Sequence, residues 1–210
     1  PPEIVQYMVA RVDTVLREEL DVPDGLADPR VYVLDPCCGT GAYLVEVLER
    51  IAQTLDDKGG DALSAGDVKK AALERVFGFE ILPAPFVIAH MQLGLLLQNM
   101  ALPLTEDERA GVFLTNALTG WEPPTEPKQH LLFHEMEEER DRAAAVKQHA
   151  PILVILGNPP YNIFASAAVQ EERDLVEAYR ATKRVAAPQG RGLNDLYVRF
   201  FRMAERRVTE

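Results

Sequence analysis

Four short apolar runs, each ended by a polar residue or a turn, decide what this chain can fold into. They are Val31-Tyr32-Val33-Leu34-Asp35, Val76-Phe77-Gly78-Phe79-Glu80, Val112-Phe113-Leu114-Thr115 before Asn116, and Ile152-Leu153-Val154-Ile155-Leu156 before Gly157. Apolar on consecutive positions and rich in β-branched and aromatic residues, they read as strands buried on both faces. Around and between them, Glu3–Leu20, Tyr43–Leu55, Asp67–Leu73, Pro83–Met100, the charged Leu131–His149, Glu171–Thr182 and Leu196–Val208 read as helices, the first and last from apolar residues at helical spacing. Lys58–Gly66 reads as a glycine-rich linker and Gly120–Gln129 as a proline-rich loop. Strands alternating with helices predict an α/β fold, an open and mostly parallel sheet with helices on both faces. Ligands of such sheets bind beyond the carboxyl ends of the strands. Asp35, Glu80, Asn116 and Asn158 all fall there.

Composition narrows the classes. A chain of 210 residues, 47% hydrophobic and 26% charged, suits one globular domain. Its net charge of −11 counts against a stand-alone nucleic-acid binder, which needs a basic surface. Much of the acid sits in Glu135–Asp141, expected to be a solvated helix face, and the arginines of Arg173–Arg207 leave room for a local basic face. The longest apolar stretch, Phe86–Leu97, is interrupted by His90 and Gln92 and reads as a buried helix rather than a membrane span. No leader for export is read at the N-terminus. Cys37 and Cys38 are the only cysteines; as adjacent residues they predict neither a disulfide nor a zinc site, and a reducing cytoplasm is the expected setting. The scattered histidines suggest no metal, His90 reads as a core or boundary residue, and Trp121 is expected to pack the loop after the third strand.

The turn Asp35-Pro36-Cys37-Cys38-Gly39-Thr40-Gly41 joins the first strand to a helix. Its glycines permit positive φ and close approach of the backbone to a ligand. Neither GxGxxG nor a Gly-Lys-Ser/Thr phosphate loop is present. An acid beside a glycine turn suits a cationic, zwitterionic ligand better than a diphosphate. Glu80, closing the second strand, can accept two ribose hydroxyls. The turn resembles motif I of the S-adenosylmethionine-dependent methyltransferases, in the DPxxGxG form of the adenine-specific DNA enzymes. The resemblance implies a Rossmann-like methyltransferase sheet in which the turn passes under the methionine part of the cofactor and Asp35 meets its ammonium. It also implies that Ile81 packs on the cofactor's adenine and that Asn116, next to Ala117, contacts that adenine after the third strand.

Asn158-Pro159-Pro160-Tyr161 is the most specific signal. Two prolines after an apolar strand cannot extend the ladder and stiffen the exit. The tetrapeptide resembles the NPPY motif of amino-methyltransferases. An adenine amino nitrogen is a poor nucleophile because its lone pair is delocalised into the ring. Two acceptors aimed at its hydrogens, the Asn158 side-chain oxygen and the Pro159 carbonyl, would support the charge that develops on it. Tyr161 would stack on a base swung out of the duplex. No metal or covalent nucleophile is implied.

The motif order resembles the gamma class, and Pro2-Glu3-Ile4-Val5 resembles the end of the motif that precedes motif I there. The doubled cysteine, Leu114-Thr115-Asn116-Ala117-Leu118, the charged helix before the fourth strand and Gly157–Asn162 resemble the methyltransferase region of type ISP restriction–modification enzymes. Asp195-Leu196-Tyr197 resembles the segment before a fifth strand. The resemblance divides the chain into a helical lead-in (1–30), a cofactor half (31–118), a loop and charged helix (119–150) and an incomplete target-amine half (151–210). Three more strands and a target-recognition domain are expected beyond Glu210. The expected activity is site-specific adenine methylation of double-stranded DNA in a bacterial or archaeal cytoplasm, with nuclease or translocase domains as further partners. A protein glutamine methyltransferase, an RNA adenine methyltransferase and a non-catalytic cofactor-binding domain remain open alternatives.

Overall fold

The computed structural model describes residues 1–60, 62–122, 134–162, 169–181, 193 and 195–209. The proline-rich loop from residue 123 onward, residues 131–133 of the charged helix and Thr182 lie outside the described residues. The elements run α1 (Pro2–Glu18), β1 (Tyr32–Asp35), α2 (Ala42–Asp57), α3 (Ala62–Glu74), β2 (Val76–Glu80), α4 (Pro83–Asn99), β3 (Val112–Leu114), α5 (His134–His149), β4 (Ile152–Ile155), α6 (Gln170–Arg180) and α7 (Leu196–Thr209). A 3-10 turn over Gly25–Ala27 links α1 to β1. The sheet is parallel throughout, in the order β3-β2-β1-β4. This is the α/β architecture that the alternating pattern predicts.

The topology explains where the helices go. Steps β1→β2→β3 move outward in one direction, and right-handed crossovers then place their helices on one face. The return from β3 to β4 reverses direction and places the next helices on the other face. One core accordingly gathers Val33, Val76, Val112 and Val154 against Val9, Leu44, Leu48, Ile51, Ala71, Leu93 and Leu97. The other gathers Leu34, Phe77, Phe79, Phe113 and Ile152 against Ala143, Val146, Leu175, Phe200 and Met203. The direction reverses between β1 and β4, the two strands whose ends carry Asp35 and the Asn158 motif, and a crevice for ligands opens at such a switch point.

Three expectations need correction. The expected linker before Asp67 is largely helix, since α3 begins at Ala62 and takes in Gly66. An added methyl at Gly66 would meet nothing within 4 Å, so this glycine marks no close approach. The helix expected to be buried, α4, is buried only at Ala89, Leu93 and Leu97. It leaves Val87, Ile88, Met91 and Leu95 exposed, because only one side lies on the sheet. Within the acidic run, Glu139 is not a solvated residue. It pairs with Arg109 and accepts the N–H of Leu114 at 2.6 Å, satisfying an outward-facing group of β3 that has no strand partner among the described residues. His90 sits at the same edge with Nε2 3.1 Å from the Val112 carbonyl, and burial lowers its pKa. No helix among the described residues is long and apolar enough to cross a membrane.

Candidate active site

Asp35 ends β1 in full burial. Its Oδ1 accepts the N–H of Cys37 at 3.0 Å. Its Oδ2 is buried and finds no hydrogen-bond donor among the described residues. Burial pushes the carboxyl up to about 7; hydrogen bonds from Cys37 oppose that shift and the charge of Glu80 adds to it. A buried carboxylate oxygen without a donor is costly, and a cationic donor is its natural complement. The ammonium end of S-adenosylmethionine fits this requirement.

The turn that follows is built around Gly39 and Gly41, with φ of 55° and 91°. At Gly41 an added methyl would also lie 3.3 Å from the Ala89 backbone of α4, so both conformation and space demand glycine. The Cys38 N–H bonds the Phe79 carbonyl at 3.0 Å, and the Gly39 N–H bonds Glu80 Oε2 at 3.0 Å. Glu80 Oε1 accepts the N–H groups of Ile81 and Leu82, each at 2.8 Å. The second acid therefore ties the glycine turn to the start of α4, a bracing role that sequence reasoning did not assign. Pro36 is buried, Thr40 is exposed and Ile81 is 62% exposed, an open apolar surface beside Glu80. Burial pushes both thiols well up, so Cys37 and Cys38 stay protonated and neither is a free thiolate nucleophile.

The fourth strand delivers its motif to the same place. The Leu156 N–H bonds the Leu34 carbonyl at 3.1 Å, so pairing with β1 continues to the residue before Gly157. Gly157 lies against Asp35: a methyl added there would collide with Oδ1 and stand 3.1 Å from Cγ and 3.3 Å from Cys37 Sγ. Gly157→Ala is therefore expected to displace the Asp35 carboxylate and weaken the binding of a cationic ligand beside it by at least about tenfold, a loss of about 1.4 kcal/mol; calorimetry on the purified variant with S-adenosylmethionine as the probe measures this. Beyond Gly157, Asn158 and Pro160 are exposed, Pro159 is half-buried and Tyr161 is 72% exposed. The Tyr161 ring lies 5.7 Å from that of Tyr197 on α7.

After β3 the picture differs. Asn116 donates to Glu172 Oε1 at 2.8 Å, and its Oδ1 accepts the Leu118 N–H at 2.9 Å. Ala117 is buried, with its carbonyl taken by Trp121 Nε1 at 2.7 Å. This loop rests on charges that sequence reasoning missed. Buried Lys147 donates to Thr115 Oγ1, the Asn116 carbonyl and the Thr119 carbonyl at 2.7–2.8 Å, and burial lowers its pKa to about 8. Buried Glu172 is paired in turn with buried Arg199 at 3.3 Å. A signal was present: Lys147 falls on the stripe of Ala143, Val146 and Ala150, and Arg199 sits four residues before Met203, also buried. A charge on an apolar stripe implies a buried partner. Among the described residues no cluster of three or more His, Cys, Asp or Glu side chains is placed to hold a metal.

No curated protein matches the chain. Among solved structures it is similar to the ATP-dependent Type ISP restriction-modification enzyme LlaBIII bound to DNA, at 25% identity and a TM-score of 0.78 over 100% of this chain. It is similar to DrdV in its DNA complex at 25% identity and a TM-score of 0.76, also over 100% of this chain. A nuclease-deletion mutant of the Type ISP enzyme LlaGI, 24% identical over 99% of this chain with a TM-score of 0.78, shares the fold. The chain spans 14%, 19% and 17% of those three chains, respectively. The N-6 DNA Methylase family model matches residues 1–192, which takes in the glycine turn, Glu80, Asn116 and the NPPY motif, and the chain belongs to that family.

Proposed function

We propose that this chain binds S-adenosylmethionine and activates the exocyclic amino group of adenine in duplex DNA for methylation, as part of a restriction–modification enzyme. The observation that carries the reading is the contact of Gly157 with Asp35. It sets a buried carboxylate that lacks a donor directly beside the entrance to Asn158-Pro159-Pro160-Tyr161. A group that holds a cation and a motif that presents acceptors to an amine thus share one crevice at the sheet's switch point.

When bound, S-adenosylmethionine supplies an electrophilic methyl group on a sulfonium. The chain's own residues do the rest. Asp35 Oδ2 would hold the ammonium, and the turn Pro36-Cys37-Cys38-Gly39-Thr40-Gly41 would hold the methionine part. Glu80 keeps one acceptor site, on Oε2, for a ribose hydroxyl, since the N–H groups of Gly39, Ile81 and Leu82 take the others, and Ile81 offers its exposed face to the adenine ring. Asn116 keeps a second amide N–H for that ring, since Glu172 takes one. At the target, the Asn158 side-chain oxygen and the Pro159 carbonyl accept from the amino group, and Tyr161 stacks on the extruded base. Tyr161 is exposed enough to do so. The DNA complexes of LlaBIII and DrdV support DNA as the substrate class.

The test is to incubate the full-length protein with methyl-labelled S-adenosylmethionine and, separately, duplex DNA, RNA or a protein extract. Label recovered as N6-methyladenine in DNA is the expected result. Label confined to RNA or to glutamine side chains would overturn it.

A further inference from the structure

We infer that Asp195 is a positioning residue for the target loop, acting through the backbone of Asn162 directly after Tyr161. This rests on the proposed function of the Asn158–Tyr161 motif and goes beyond it by naming what holds that motif in place. Asp195 is a carboxylate only 7% exposed. Its Oδ1 accepts the Asn162 N–H at 2.9 Å and lies 3.4 Å from the Tyr197 N–H. The Leu196 N–H in turn donates to the Asn162 carbonyl at 3.3 Å. Both polar groups of the Asn162 backbone are therefore fastened to the first turn of α7.

The arrangement has a physical logic. The loop leaves β4 exposed, and Pro159 and Pro160 carry no N–H with which to anchor it. The next amide available is that of Tyr161 or Asn162, and α7 takes Asn162. The same turn of α7 supplies Tyr197, whose ring packs 5.7 Å from Tyr161, and Phe201 extends the aromatic row at 6.2 Å from Tyr197. Asp195 also sits where an N-cap belongs, so one carboxylate starts the helix and holds the loop. Four residues on, Arg199 pairs with Glu172, which holds Asn116. One helix thus fixes the loop for the target base and supports the loop after β3.

The test separates holding from capping. Asp195→Asn keeps an acceptor for Asn162, whereas Asp195→Ser keeps a cap for the helix but has a shorter reach. In the full-length protein, Asp195→Ser is expected to lower the single-turnover rate of DNA methylation at saturating S-adenosylmethionine and DNA by about 10- to 100-fold. Its S-adenosylmethionine affinity by calorimetry is expected to stay at the wild-type value, and Asp195→Asn to stay close to the wild-type rate. Hydrogen exchange at the Asn162 amide is expected to speed up in the Ser variant alone. A Ser variant with the wild-type rate and unchanged exchange would remove Asp195 from the positioning role. A Ser variant that loses cofactor affinity in step with rate would show a general structural role instead. Asn158→Ala is run alongside. If it too methylates DNA at the wild-type rate, the reading of the motif fails, and not merely that of its support.

Discussion

Asn158→Ala is expected to lower the rate of methyl transfer to DNA by about 100- to 1,000-fold, the range seen when one preorganised dipole is removed from a site of developing charge. Cofactor affinity is expected to be unchanged, because the proposed cofactor contacts are Asp35, Glu80 and the glycine turn, and Asn158 does not touch them in any contact described. Asn158 is exposed at the exit of β4, where two prolines limit how far its backbone can drift. The side chain contributes little to the core, so its loss should leave the fold intact. That makes the variant a clean probe of chemistry. Asn158→Asp retains an acceptor oxygen and is expected to keep much more activity than Asn158→Ala. Single-turnover kinetics with saturating cofactor and DNA read the effect. An Ala variant that slows only through a raised KM for DNA would assign Asn158 to binding rather than to activation of the amine.

The parts of the site that were legible in the sequence are those made by short, continuous segments. The β-branched and aromatic runs gave away their strands because each is buried on both faces, and Gly39, Gly41, Gly157 and the two prolines marked their exits. A mostly parallel sheet followed from the alternation of strands and helices, whereas the strand order and its switch point between β1 and β4 came only with the structure. What the sequence concealed is assembled from distant helices. Lys147 of α5, Glu172 of α6 and Arg199 of α7 meet around the loop after β3, and no spacing rule joins residues so far apart. The exposed side of α4 was hidden for the converse reason, since its apolar residues surround the helix and carry no sign of which face meets the sheet. Glu139 looked solvated because its neighbours Glu137 and Glu138 are also acids, while its partners lie on β3 and its preceding loop. Glu80 was named from the sequence as a candidate site residue, yet its hold on Gly39 could be seen only once β1 and β2 were paired.

Asp35 should make both stability and cofactor binding depend on pH, in opposite senses. Its carboxyl rises from 3.8 to about 7 because folding buries it with one oxygen lacking a donor. Below about pH 4 it is protonated in the folded and the unfolded chain alike, and it costs nothing. Between about 4 and 7 the unfolded chain releases this proton while the folded chain retains it, so stability falls as pH rises, and the loss is complete once the pH passes about 7. Its full size is on the order of 4 kcal/mol. Asp35→Asn removes the charge and is expected to raise the thermal midpoint of the ligand-free protein at pH 8 while leaving it nearly unchanged at pH 4. A cationic ligand needs the carboxylate, so S-adenosylmethionine affinity is expected to fall about tenfold for each pH unit below 7. In Asp35→Asn it should be weak and flat over the same range. Calorimetric titrations from pH 5 to pH 8 on both proteins decide the matter. A wild-type affinity independent of pH would show that Asp35 does not receive the ammonium, and a Asn variant destabilised at pH 8 would show that the buried charge is compensated within the fold. The two outcomes belong together, because the stability that burial of the Asp35 charge costs is what an ammonium beside Oδ2 would restore.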